Sequence, residues 1–287
     1  MQTIRLGVVE YLNTVPLIEG LAQTRGVELV RAVPSRLVGL LLGGSVDVGL
    51  ISLIDAARAP TPVSILPAGM IGCDGPTLTV RLFSAVPIDR IARVHADTDS
   101  HTSVALAKVL LRKLHGLTPE FVDYDARERM TSGGGHPHTP DESWPETVLL
   151  IGDKVVSDCP PAVRYPHQLD LGKAWHDLTG LPFVYAVWAC RADRAQDPDI
   201  HAAATLLDRT RRRNRGRLDR IVSNQAGAHG WPNDLAREYL GHLLAFDLDD
   251  RARKAARAFL RMASEAGLTP QADPDFVEIG DFVPTPG

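Results

Sequence analysis

The chain has 287 residues, 44% hydrophobic and 23% charged, with a mean hydropathy of -0.06, which is enough for two packed lobes or one large α/β domain. Lys and Arg number 31 against 35 Asp and Glu, for a net charge of -4, so no global positive field draws the chain to nucleic acid or to an anionic membrane surface. Cys73, Cys159 and Cys190 are odd in number and widely spaced; they suit neither a disulfide framework nor a zinc site and read as reduced thiols of a cytoplasmic protein.

Thr3 to Val9 runs straight into a strand pattern with no basic, apolar and small-residue leader before it, and no stretch of about 18 uninterrupted apolar residues follows. Neither a secretion signal nor a membrane span is expected. Ile4 to Val9 reads as a strand, Pro16 to Thr24 as a helix opened by proline, and Val27 to Val33 as the next strand. Ser35 stands where an N-cap belongs, Leu37, Leu40 and Leu41 line one helix face, and Gly43-Gly44 stop that helix before a strand from Val46 to Ile51. Strands alternating with helices predict a largely parallel sheet with ligand sites at the carboxyl ends of its strands.

A second unit begins near Pro87. Val94 to Ala96 reads as a strand, and Ser100 to Leu114 as a helix burying Val104, Ala107, Leu110, Leu111 and Leu114. Glu120 to Tyr124 and Val148 to Ile151 are further strands, and Thr131 to Glu146, rich in Gly, Pro, His and Ser, reads as a surface loop. Leu78 to Val86 and Phe183 to Cys190 look like paired crossings between lobes. The organisation expected is therefore residues 1–86 in a first lobe, 87–184 in a second and 185–287 returning to the first. The return is helical from about Pro198, with Ala252, Ala256, Phe259, Leu260 and Ala263 on one stripe before Gly267.

Four strand-to-helix junctions hold small polar residues: Tyr11 to Thr14, Gly49 to Ser52, Gly72 to Pro76 and Ser100 to Ser103. Singly they are ordinary caps and turns. Together, in a two-lobed α/β protein, they predict a cleft where helix amides and hydroxyls hold a small anion without arginine.

These segments carry a resemblance. Glu10-Tyr11-Leu12-Asn13-Thr14-Val15-Pro16-Leu17, Asp47 to Ser52, Ile71 to Pro76, Ser100 to Val104 and Leu150 to Asp153 resemble, in order, the chorismate dehydratase family of the futalosine route to menaquinone. Asp170 to Ala189, with Leu171-Gly172 before Trp175 and Thr179-Gly180-Leu181-Pro182-Phe183-Val184 after it, is its most specific block. The resemblance implies an α/β, two-lobed fold of the periplasmic-binding-protein type II kind with a cleft between lobes. It also implies a cofactor-free and metal-free cytoplasmic lyase that dehydrates chorismate to 3-[(1-carboxyvinyl)oxy]benzoate. The sister 1,4-dihydroxy-6-naphthoate synthase typically has Ser-Pro-Cys-Pro-Asn-Asp where this chain has Glu10 to Thr14. That synthase and a cytoplasmic small-anion binding protein are the alternatives.

By motif position Asn13 is the first functional candidate, since its amide holds a hydroxyl or carboxylate in register but is no useful base. Glu10, Asp74 and Asp153 are the carboxylates nearest the expected cleft, with Glu10 and Asp153 placed beside Asn13 as catalytic and the substrate's own carboxylate a further candidate base. Ser100, Thr102 and Ser103 are expected to hold one carboxylate at a helix start, with Thr14, Ser52, Gly72, Cys73, Asp74 and Ser84 completing the walls. His101 stands where relatives often have arginine. Trp175 is kept as a residue behind the site, and Trp188, alternating with apolar neighbours, as core.

Three other signals carry less. The arginines from Arg209 to Arg220 read as a solvated helix face or loop, His136 and His138 have no further ligands nearby, and Cys73 has no base at motif spacing.

Overall fold

The structure, a computed structural model, describes residues 3–126, 144–270 and 273–277. Two sheets organise it. The first has seven strands in the order β11-β4-β10-β3-β1-β2, with β12 also on β4; the second has five, in the order β7-β6-β8-β5-β9. In chain order β1 to β4 are Ile4–Val8, Val27–Arg31, Val48–Ser52 and Val63–Cys73. β5 to β9 are Val80–Ser84, Arg93–Asp97, Glu120–Tyr124, Thr147–Ile151 and His167–Asp170. β10 to β12 are Phe183–Arg191, Leu244–Ala245 and Asp275–Phe276.

β1 runs parallel to β2 and β3, as alternation with helices predicts, while β10 runs antiparallel to both β3 and β4. Leu78–Val86 does not serve as the outgoing crossing matched to Phe183–Cys190. β10 pairs instead with β4, Phe183 facing Cys73, and β5 pairs with β8 and β9 inside the second sheet, so the first lobe's strands end at Cys73 rather than near residue 86. β4 is hard to see in the sequence because Pro67, Gly69 and Gly72 interrupt its apolar run.

Helices α1 (Val15–Ile18), α2 (Pro34–Leu42) and α3 (Leu53–Arg58) belong to the first lobe; α4 (His101–His115), α5 (Lys154–Ser157) and α6 (Leu171–Thr179) follow strands of the second. The helix expected over Pro16 to Thr24 breaks at Gly20, whose φ of 89° leaves only short 3-10 turns around α1. α2 starts at Pro34 with no side-chain cap, so Ser35 lies inside it. α4 ends on left-handed Gly116; Ala107, Leu110 and Leu111 are buried as expected, but Leu114, in its last turn, is 40% exposed. The expected loop at Thr131–Glu146 lies outside the described residues up to position 143, as do His136 and His138.

α7 (Pro198–Arg215), α8 (Leu218–Gln225), α9 (Asn233–Glu238) and α10 (Asp250–Glu265) complete the chain. α10 buries the expected alanine, Phe259 and Leu260 stripe, and Asp249 caps it by accepting from the Ala252 amide at 2.8 Å. The arginine run lies on and after α7 and is largely spent on the chain itself. Arg211 and Arg212 pair with Asp208, Arg215 pairs with Asp247, and Arg213 donates to the Glu19 carbonyl.

Where the chain returns from the second sheet to the first, Trp175, Phe183, Tyr185 and Phe259 pack edge to face, with centroids 4.6 to 6.0 Å apart. Gly172 seals this crossing: a Cβ there would stand 2.6 Å from the Cys73 Sγ and 2.7 Å from the Gly75 carbonyl oxygen. Gly172→Ala is therefore expected to cost about 1–3 kcal/mol through overpacking, read as a lower denaturant midpoint.

Candidate active site

Residues from both sheets and their connections line one pocket. From the first lobe Tyr11 and Asn13 reach it on the turn after β1, Ser52 at the end of β3, and Ile71 from β4. From the second come Thr77 and Thr79 before β5, Ser100 and Ser103 at the start of α4, and Gly152 after β8. Tyr185 and Tyr239 close it. None of the lining residues carries a charge.

α4 brings its N-terminus to the pocket. Ser100 caps it, its Oγ accepting from the Ser103 amide at 3.3 Å and lying 3.0 Å from the Ser103 Oγ. The first amides of a fifteen-residue helix have no intrahelical acceptor and carry the positive end of its dipole. At about 100° per residue, Ser100 and Ser103 share the cleft face while His101 and Thr102 turn away. Thr102 is buried, its Oγ1 accepting from the Ile54 amide at 3.1 Å, and the His101 Nδ1 meets the Asp55 carboxylate at 2.9 Å. Both residues therefore tie α4 to α3 and lie outside the pocket.

The hydrogen bond to Asp55 raises His101 above its ordinary value of 6.5 although partial burial opposes it. Stability from this pair is complete below the unfolded value and is lost as pH rises through the higher folded one. His101→Gln is expected to flatten that decline in denaturant midpoints measured from roughly pH 6 to pH 9.

Asn13 sits on a short 3-10 turn, Leu12–Thr14, forced by the Pro16 helix start. Thr14 is buried and donates its Oγ1 hydrogen to the Asn13 Oδ1 at 3.3 Å, which fixes the amide without lining the pocket. Tyr239 lines the pocket together with Asn13, and its hydroxyl is 2.7 Å from the Thr79 Oγ1. Tyr239 opens a π-helical turn, Tyr239–Leu243, and is fully buried. Burial raises its pKa, as it does that of Tyr185, so both stay neutral hydroxyls.

Thr77 and Thr79 reach the pocket through a strained turn. Leu78 between them has φ 65°, and the Thr79 amide donates to the Thr77 carbonyl oxygen at 2.7 Å. Asp170 holds this conformation by accepting from the Thr77 and Leu78 amides at 3.0 and 2.8 Å.

Several expected site residues lie elsewhere. Glu10 points to solvent and pairs with Arg31 at 2.9 Å. Asp74 binds Arg251 and, at 3.0 Å, His176 on the surface. Cys73 faces Tyr185 and Gly172, and burial pushes its thiol up to about 12. Gly72 is wedged against the Phe183 carbonyl of β10. Ser84 lies four residues along β5 from the pocket residue Val80, about 13 Å away at strand rise, and bonds Thr147 at 2.9 Å. Trp175 is fully buried and donates its indole hydrogen to the Pro182 carbonyl at 2.8 Å. Asp153 follows the pocket residue Gly152 but does not itself line the pocket, and both its carboxylate oxygens already accept bonds.

Sequence reasoning left Thr77, Thr79, Gly152, Tyr185 and Tyr239 unassigned. Tyr185 was findable from alternation along β10. Nothing in the sequence links Tyr239, about 230 residues from Asn13, to the same wall. Among the described residues no cluster of His, Cys, Asp or Glu is arranged to hold a metal ion, and no helix is long and apolar enough to cross a membrane.

Residues 4–265 match the profile of a family described as menaquinone biosynthesis. The chain belongs to that family. A chorismate dehydratase of Thermus thermophilus is 32% identical over 273 residues, covering 90% of this chain and 94% of that protein. Among solved structures, a protein of Archaeoglobus fulgidus matches at TM-score 0.66 and 17% identity, over 92% of this chain and 98% of that one. The alkanesulfonate-binding protein of Xanthomonas axonopodis pv. citri matches at TM-score 0.63 and 14% identity, over 95% and 96%. The periplasmic aliphatic sulphonate binding protein of Escherichia coli matches at 0.61 and 16%, over 95% of each chain. At these identities the structural likeness establishes the fold of this family member alone, the two-lobed α/β fold of periplasmic binding proteins.

Proposed function

We propose that this chain is a cytoplasmic chorismate dehydratase, forming 3-[(1-carboxyvinyl)oxy]benzoate and water in the futalosine route to menaquinone. The observation that carries the reading is the uncharged pocket in which Asn13 on one lobe is set against the Ser100–Ser103 helix start on the other. The 32% identity to a chorismate dehydratase supports the substrate. The three cysteines are unpaired thiols, which supports a reducing compartment.

Chorismate brings two carboxylates and a leaving hydroxyl. One carboxylate is met by the amides and hydroxyls of α4; Ser52, Thr77 and Thr79 offer neutral donors to the remaining oxygens. The ring C3 hydrogen is vinylogous to the ring carboxylate, so donors fixed on that group stabilise the charge that develops as the proton leaves. The C4 hydroxyl then departs as the ring becomes aromatic. Asn13 and Tyr239 are the donors on the wall facing α4, and they orient that hydroxyl. No protein carboxylate among the residues that line the pocket competes for the proton, which favours the enolpyruvyl carboxylate of the substrate as base. Val9, Leu50, Ile71 and Ile151 exclude water around the ring.

The test is purified protein with chorismate, followed by chromatography and mass. Catalytic formation of the enolpyruvyl benzoate is the expected result. Binding without turnover points to a solute-binding role, and turnover of a cyclised futalosine product instead points to the sister synthase.

A further inference from the structure

Asp153 belongs to the second lobe, on the turn after β8, yet every side chain and amide bonded to its carboxylate belongs to segments of the first. Its Oδ2 accepts from the Leu12 amide at 3.2 Å and meets the His229 Nδ1 at 3.2 Å; its Oδ1 accepts from the Trp231 indole at 3.0 Å. Gly152, with φ 77°, makes this turn possible and packs against the Tyr11 ring. The next residue, Lys154, turns the other way into the second lobe, where it pairs with buried Asp97 and Asp99 at 2.6 and 2.7 Å. Asp99 in turn accepts the Tyr11 hydroxyl at 2.6 Å. Two carboxylates of one lobe thus grip consecutive residues of the other, Tyr11 and Leu12, immediately before Asn13.

The grip also extends to a second segment of the pocket wall. Trp231 stacks on Tyr239 with centroids 4.7 Å apart and planes 17° apart, and Tyr239 lines the pocket together with Asn13. We infer that Asp153 is a positioning residue: it clasps the Leu12–Thr14 turn and Trp231 across the lobes, and so sets the register of Asn13 against the α4 helix start. The inference rests on the proposed dehydration only for its kinetic readout; the clasp itself is physical.

Three variants test it: Asn13→Ala, Asp153→Ala and the double. Displacing a reacting group by about an ångström costs on the order of a hundredfold, so Asp153→Ala should lower kcat by about that much and move KM less. Because Asp153 acts through Asn13, adding Asp153→Ala to Asn13→Ala should lower kcat by less than about threefold further. Asp153→Asn, which keeps one carbonyl acceptor, should recover part of the loss. Multiplicative losses in the double variant overturn the inference. Should Asp153→Ala fail to fold, Trp231→Phe removes one arm of the clasp and must show the same non-additivity with Asn13→Ala.

A second readout does not depend on chorismate. Acrylamide quenching of Trp231 fluorescence, isolated by difference against Trp231→Phe, should increase in Asp153→Ala; unchanged quenching overturns the clasp. Increased quenching in Asp153→Ala together with a wild-type protein inert toward chorismate would overturn the proposed reaction and leave the clasp standing.

Discussion

Asn13→Ala is expected to lower kcat for chorismate by about 10²–10³-fold, the usual cost of deleting one aligned donor from a water-excluding site. The loss should fall on kcat more than on KM. In the proposed mechanism substrate is also held by the Ser100–Ser103 end of α4, which the substitution does not touch, while the Asn13 amide serves charge and geometry that develop during the reaction. The fold should survive, because Leu12 and Thr14 on either side remain buried and Leu12 keeps its amide bond to Asp153. Asn13→Asp is the sharper variant: it preserves size but replaces the NH2 donor with a carboxylate facing a dianion, and the loss should equal or exceed that of alanine. Steady-state kinetics with mass-resolved product, beside circular dichroism, checks both. Activity within about threefold of wild type in Asn13→Ala would remove this residue from the mechanism.

Lys154→Met should be the most destabilising of the substitutions considered, by about 3–5 kcal/mol near neutral pH. The Lys154 ammonium stands between Asp97 and Asp99, and all three side chains are almost wholly buried. Methionine fills similar volume but removes the ammonium from beside both carboxylates. Burial already raises Asp97 above its ordinary 3.8 in the presence of Lys154, whose charge pulls the other way. A carboxyl with a raised folded value contributes its stability below the unfolded value and loses it as pH rises through the folded one. Removing Lys154 raises the folded values further, so the deficit of Lys154→Met relative to wild type should shrink as the pH falls toward about 4. Urea unfolding at two pH values measures this. Equal deficits at both would mean that the lysine stem, not its charge, stabilises the site.

The fold was legible where one physical signal dominated. The apolar stripe of α10, the Ser100 cap of α4 and the β-branched runs of β1 and β3 follow directly from helical and strand periodicity. β4 escaped because glycines and a proline break its pattern. Its long extended course is sustained by β10 beside it and by β11 and β12, which pair at opposite ends of it. That missing strand misplaced the crossing between lobes by one strand.

At the pocket, Asn13, Ser52, Ser100 and Ser103, each carried by a local motif, are among the lining residues. Those expected only for their chemistry were mostly diverted to structural partners. Asp74 meets Arg251, His101 meets Asp55, and Glu10 meets Arg31. A carboxylate near a cleft in sequence is satisfied by whichever cation the fold delivers, and α3, α10 and β2 could not be placed beside these residues from composition. Asp153 is the instructive intermediate. Its sequence position pointed to the cleft edge, but its partners come from residues 12, 229 and 231, a convergence only tertiary structure reveals.

The most direct test of where and how this protein works is a crystal structure with 3-[(1-carboxyvinyl)oxy]benzoate bound. The account predicts the ring between Leu50 and Ile151, a carboxylate against the Ser100 and Ser103 amides and hydroxyls, and the Asn13 side chain within hydrogen-bonding distance of the product. Product seated elsewhere, for instance in the arginine-lined groove beside Arg217 and Arg220, or lodged in the cleft with Asn13 turned away, would contradict it.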